Sequence, residues 1–175
     1  MQGTSRALVS LCLLVPFAHA AGAAPDAPKQ EALDALTRYE REARALVASL
    51  VSGGAADVDG QARSLLALSR TILGEFAVAH PVCGPSFRAW FGLEDRLGAI
   101  TSEELEREHH GDAKLPAAPP LCDHAKELFV RPAAMLVLRR EGSDPARQSA
   151  EIQEAAAHLA IVRTLLLLPA ESKPG

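Results

Sequence analysis

Apolar side chains recur along most of the chain at alternating spacings of three and four residues, the repeat of one face of an α-helix. The clearest stripe lies within residues 58–79 and includes one serine. Its members are Val58, Ala62, Leu65, Ser69, Ile72, Phe76 and Ala79. Residues 31–51 and 145–168 carry similar stripes. Each pattern predicts a long helix that buries one face against its neighbours.

Residues at the ends of these stripes predict where helices start and stop. Gly53 and Gly54 follow the stripe over residues 31–51 and should end that helix. In the last helix, Asp144 should be the N-cap and Pro145 the first helical residue. Residues 86–100 form a shorter amphipathic segment, and we expect it to be helical.

The middle of the chain contains a second set of helix signals. Thr101 with Glu104 has the spacing of a capping box, so a short helix is predicted from there to His110, followed by a proline-rich loop over 111–120. The stripe resumes over 122–140. Pro132 should kink or split that helix, because proline removes one backbone hydrogen bond.

Four long striped helices with short connections favour a helix bundle. Sustained period-two alternation, the signal of a half-buried strand, does not occur in the sequence. We therefore predict an all-α, four-helix-bundle-like domain. We also predict a helical insertion, pinned by a disulfide, between the second and the last two long helices.

The N-terminus has the three parts of a secretory signal peptide. Arg6 is followed by the apolar run 7–17 and by Ala18-His19-Ala20, with small residues at −3 and −1 of a cut after Ala20. The sequence thus divides into four parts. These are a signal peptide over 1–20, a flexible linker over 21–30, a single domain over 31–168 and a disordered tail over 169–175. A periplasmic or secreted location is predicted, without stable membrane insertion after cleavage.

Charge argues against a nucleic-acid partner. The chain has 18 basic and 22 acidic residues, and the net charge of −4 becomes one unit more negative when Arg6 leaves with the signal peptide. An acidic protein does not offer the surface that binds phosphate backbones.

Two cysteines, Cys83 and Cys122, remain after cleavage. An even number in an exported protein favours a disulfide, which would close the segment between them. The alternative is a Cys₂His₂ zinc centre that also uses His80 and His124. If the cysteines are bonded to each other, we expect His124 to be solvated or bonded to a local carbonyl.

A second candidate metal group is formed by Glu106, His109 and His110. Glu106 and His109 are one helical turn apart, the spacing used in di-iron bundles, but the further carboxylates and the second Glu-x-x-His of such sites are missing. Adjacent histidines on a regular helix point about 100° apart. We therefore expect at most a single surface contact with zinc or copper, and otherwise a solvated acidic helix.

Other chemistry has little support in the sequence. The chain has no C-x-x-C-H haem motif, no G-x-S-x-G elbow and no phosphate-binding glycine-rich loop. We therefore predict a protein without catalytic activity.

Three aromatic residues, Phe87, Trp90 and Phe91, lie within five positions. They are expected either to pack the insertion onto the bundle or to form an exposed surface for a protein or small-molecule partner. The sequence predicts an exported, non-catalytic binding or interaction protein without a cofactor. The alternative is a bundle that binds or handles zinc or copper through histidines of the insertion.

Overall fold

The computed structural model describes residues 27–53, 57–110, 115 and 118–168. These residues form six α-helices and two 3-10 turns, at Pro81–Cys83 and Glu94–Arg96, and no strand occurs among them. The helices are α1 (Ala27–Ser52), α2 (Val58–Ala79), α3 (Gly84–Phe91), α4 (Ser102–His109), α5 (Pro120–Arg140) and α6 (Pro145–Leu167). The predicted all-α fold is confirmed. The signal peptide, residues 21–26 of the linker and the tail lie outside the described residues.

The four long helices form the bundle. Helix α1 packs against α2 and α6, and α5 packs against the same two helices from the other side. The core between them is filled by fully buried side chains from all four, among them Leu36, Leu65, Phe129 and Val162. Helix α3 lies on α2 and helix α4 lies on α5. None of the described helices combines the length and the apolarity needed to cross a membrane.

Most predicted helix ends are confirmed. Gly53 follows α1 with φ of +69°, a left-handed conformation that favours glycine. The capping box at the start of α4 is complete, and the Asp144 side chain accepts a hydrogen bond from the backbone N–H of Arg147. The boundary of the linker at residue 30 differs, because α1 already begins at Ala27. Pro28 does not prevent this, since the first turn of a helix needs no hydrogen bond from its N–H groups.

The predicted split at Pro132 is wrong, because α5 continues through it. Proline at this position leaves the carbonyl of Leu128, four residues earlier, without its helical donor. The hydroxyl of Tyr39 in α1 donates to this oxygen at 2.8 Å. A fully buried side chain from another helix thus replaces the missing hydrogen bond.

We expected residues 86–100 to be helical, but they do not form one continuous helix. Helix α3 ends at Phe91, and Gly92, with low helix propensity, caps it. A 3-10 turn follows, and both Leu93 and Leu97 are buried. The Arg140 side chain of α5 donates to the carbonyl oxygens at the end of this segment.

The aromatic residues belong to the core. Phe87 is 1% exposed and Trp90 is 2% exposed, so the expectation that they pack the insertion onto the bundle is confirmed, and the alternative of an exposed surface is wrong. Phe91 is only partly buried, but its ring packs edge-on against Phe129 and under the guanidinium of Arg70. Burial of large aromatic side chains is strongly favourable, and it adds to the burial of the leucines in the same insertion.

Cys83 and Cys122 form the predicted disulfide, and their Cα atoms are 5.6 Å apart. Both are fully buried at helix junctions, one in the 3-10 turn after α2 and the other in the first turn of α5. The bond connects the two ends of the segment that contains α3 and α4.

Candidate metal centre

Glu106, His109 and His110 come together at the C-terminal end of α4. Oε2 of Glu106 lies 3.5 Å from Nδ1 of His109 and 3.3 Å from Nε2 of His110. The ligand atoms of all three side chains lie within 4.8 Å of one another. We expected adjacent histidines of a regular helix to point about 100° apart, but the two ring centroids lie only 5.0 Å from each other. His110 is the C-cap, and its φ of −81° and ψ of 0° remain in the right-handed helical region.

Glu127, a residue of α5, fixes the orientation of the His109 ring. Nε2 of His109 lies 2.6 Å from Oε1 of Glu127. An ionised carboxylate only accepts hydrogen bonds, so Nε2 carries a hydrogen. In the form of the ring that can bind a metal, Nδ1 therefore presents its lone pair on the side of Glu106. The indole of Trp90 packs edge-on against the same ring. Only 11% of the His109 side chain is exposed.

The Glu127 carboxylate is held in turn by Arg131, whose Nε lies 2.6 Å from Oε2. Burial acts to raise the pKa of Glu127, but hydrogen bonds and opposite charge from His109 and Arg131 outweigh it and lower this pKa to about 2. The guanidinium of Arg131 also contacts Glu151 at 3.2 Å and Glu154 at 3.7 Å. Glu127 is thus ionised, paired and almost fully buried between α4, α5 and α6.

His124 and His158 form a second histidine pair, between α5 and α6. Their Nδ1 atoms are 2.9 Å apart, and both side chains are partly exposed. The expectation that His124 would be solvated or bonded to a local carbonyl is wrong, since its partner lies 34 residues away. Burial is the largest cause that lowers the pKa of His158.

The proposed Cys₂His₂ centre is not formed. Both thiols are consumed by the disulfide, and His80 turns to a different partner: its Nε2 lies 3.4 Å from the carbonyl oxygen of Leu165, and its ring packs against Phe76. His80 and His124 therefore have separate partners and form no common site with the cysteines.

Comparison of the chain with protein-family models, with curated proteins and with solved structures found no match.

Sequence reasoning missed Glu127, the residue that organises this centre. The sequence did contain a signal, because residues 125–130 are apolar except for Lys126 and Glu127. A carboxylate in such a run must be paired when the helix is buried on all sides. The partners could not be identified, since His109 reaches it from another helix.

Proposed function

We propose that this chain is an exported, non-catalytic binding protein for a divalent transition-metal ion, which Glu106, His109 and His110 hold as Zn²⁺. One observation carries this proposal: a carboxylate and two imidazoles meet at the end of α4 while a buried carboxylate holds the far side of one ring. Metal-binding histidines in proteins commonly donate their second N–H to a carboxylate in this way.

The distances fit a tetrahedral ion. Two ligand atoms that each lie about 2.0–2.1 Å from zinc at tetrahedral angles are roughly 3.3 Å apart. The two measured separations from Glu106 Oε2 are 3.5 and 3.3 Å. The His110 side chain is 67% exposed, so it is free to rotate and close the third separation. A water molecule would supply the fourth ligand, as in other open zinc sites.

The electrostatic surroundings also favour a cation. The C-terminal end of a helix carries partial negative charge, and the three side chains lie at the C-terminal end of α4. The carboxylate of Glu106 adds a negative charge of its own. Because His109 is already held by Glu127 and Trp90, little ordering of that ligand is needed when an ion binds.

Isothermal titration calorimetry at pH 7 tests this proposal. The chain is expected to bind one Zn²⁺ at this site with a Kd of about 1 µM or tighter. His110→Ala should weaken binding tenfold or more, since it removes a direct ligand. This substitution is at an exposed position, so the fold should persist.

Two further variants test the assigned roles. Glu127→Gln should weaken zinc binding by about 10- to 100-fold without removing a ligand, because it disturbs the group that orients His109. Glu103→Gln, an exposed carboxylate in the first turn of the same helix, should leave the affinity unchanged. A wild-type chain that binds no zinc, or equal affinities in wild type and His110→Ala, would overturn the proposal.

A further inference from the structure

The histidine pair between α5 and α6 has the geometry of a second kind of metal site. We propose that His124 and His158 form a two-imidazole chelate for Cu²⁺ that clamps α5 to α6. This site shares no ligand with the zinc site at the end of α4, so it does not depend on the function proposed above.

The separation of the nitrogens carries this inference. Cu²⁺ favours a square-planar or tetragonal arrangement of nitrogen and oxygen ligands. Two nitrogens about 2.0 Å from one ion and about 90° apart are about 2.8 Å from each other. The Nδ1 atoms of His124 and His158 are 2.9 Å apart, and the two rings are inclined by 40°. A modest rotation of both rings directs the two lone pairs to one ion.

The two helices supply this geometry before any ion arrives. α5 and α6 have the most extensive contact of any pair of helices in the described part of the chain. One imidazole comes from the first turns of α5 and the other from the middle of α6. In the metal-free protein the same spacing allows one ring to donate a hydrogen bond to the other. When copper binds, the donating ring would carry its hydrogen on Nε2 instead of Nδ1, so that both Nδ1 lone pairs are available to the ion.

The surroundings leave room for the remaining ligands and for charge balance. Both histidines are partly exposed, so water can complete the equatorial plane. The negative charges of Glu127 and Glu154 favour a positive charge at His158. The positive charge of Arg131, which pairs with both carboxylates, opposes this effect.

Titration of Cu²⁺ into the full chain carrying His110→Ala tests the proposal, because that background disables the zinc site. We expect an electron paramagnetic resonance spectrum with coupling to two imidazole nitrogens and a Kd in the micromolar range or tighter. The melting temperature should rise by a few degrees with copper, since the ion bridges two helices. His158→Gln and His124→Gln should each weaken binding at least tenfold, remove the two-nitrogen coupling and abolish the rise.

The two substitutions protect the test against a variant that does not fold, since either one suffices. Unchanged copper affinity in both folded variants, or a spectrum without two imidazole nitrogens, would overturn the chelate. The outcome is separate from that of the zinc experiment. Loss of zinc binding in His110→Ala with copper coupling retained supports both sites, whereas a wild type that binds copper here but no zinc refutes only the zinc proposal.

Discussion

Opening the Cys83–Cys122 bond is expected to lower the melting temperature by roughly 10–15 °C. The bond closes a loop with a sequence separation of 39 residues. The chain-entropy model assigns about 4 kcal/mol of stabilisation to a loop of this size, and a domain of this length loses about 3 °C per kcal/mol. Helices α3 and α4 should loosen first, because they make far fewer contacts than the four long helices. Thermal melts of Cys122→Ser, with amide hydrogen exchange, measure both effects.

Reduction provides the matched control for this prediction. A thiol reductant should lower the melting temperature of the wild type by a similar amount. It should have no effect on a chain that carries Cys83→Ser and Cys122→Ser together. Thiol counting under denaturing, non-reducing conditions should find no free thiol at either position in the wild type. Two free thiols and a melt that is sensitive to a chelator would contradict the disulfide and restore the Cys₂His₂ alternative.

Glu127→Ala is expected to destabilise the metal-free protein by about 3 kcal/mol. The substitution leaves the side chains of His109 and Arg131, which are 11% and 17% exposed, without their closest acceptor. Removing one partner of a buried ion pair typically costs about 3–5 kcal/mol, and the contacts of Arg131 with Glu151 and Glu154 place the effect at the lower end. Chemical denaturation in the presence of a chelator measures the free energy of unfolding.

Two comparisons separate the loss of this pair from a simple loss of volume. Glu151→Ala removes a peripheral carboxylate of the same network and should cost less than about 1 kcal/mol. The double substitution Glu127→Leu with Arg131→Met should recover part of the loss, because apolar residues of similar volume can replace a buried ion pair, while His109 still lacks its acceptor. An effect of Glu127→Ala no larger than that of Glu151→Ala would contradict the buried anchor.

Local signals in the sequence predicted the frame of the fold. Helix α2 begins and ends with its apolar stripe, at Val58 and Ala79. Thr101 and Glu104 form the capping box that their spacing indicates. Such features depend on residues within one or two turns of each other. The disulfide was also predictable, because the expected signal cleavage would leave two cysteines, and these allow only one pairing.

Contacts between distant segments were not predictable in the same way. Pro132 does not interrupt α5 because Tyr39, from another helix, donates to the carbonyl that the proline leaves unpaired. Likewise, the pairing of His124 with His158 depends on the register of α5 against α6. The sequence identified His109 and His110 as ligand types, but the approach of their rings depends on side-chain torsion angles, which their spacing along the helix does not determine.

X-ray absorption at the zinc edge, on the chain loaded with one equivalent of Zn²⁺, identifies the atoms that bind the ion. We expect a first shell of nitrogen and oxygen alone at about 2.0–2.1 Å, with scattering from two imidazoles. His110→Ala should reduce this to one imidazole or prevent loading. A sulfur shell at about 2.3 Å would show that the cysteines bind the ion instead, and a shell without imidazole would place the zinc elsewhere. Either result would contradict a zinc site at Glu106, His109 and His110.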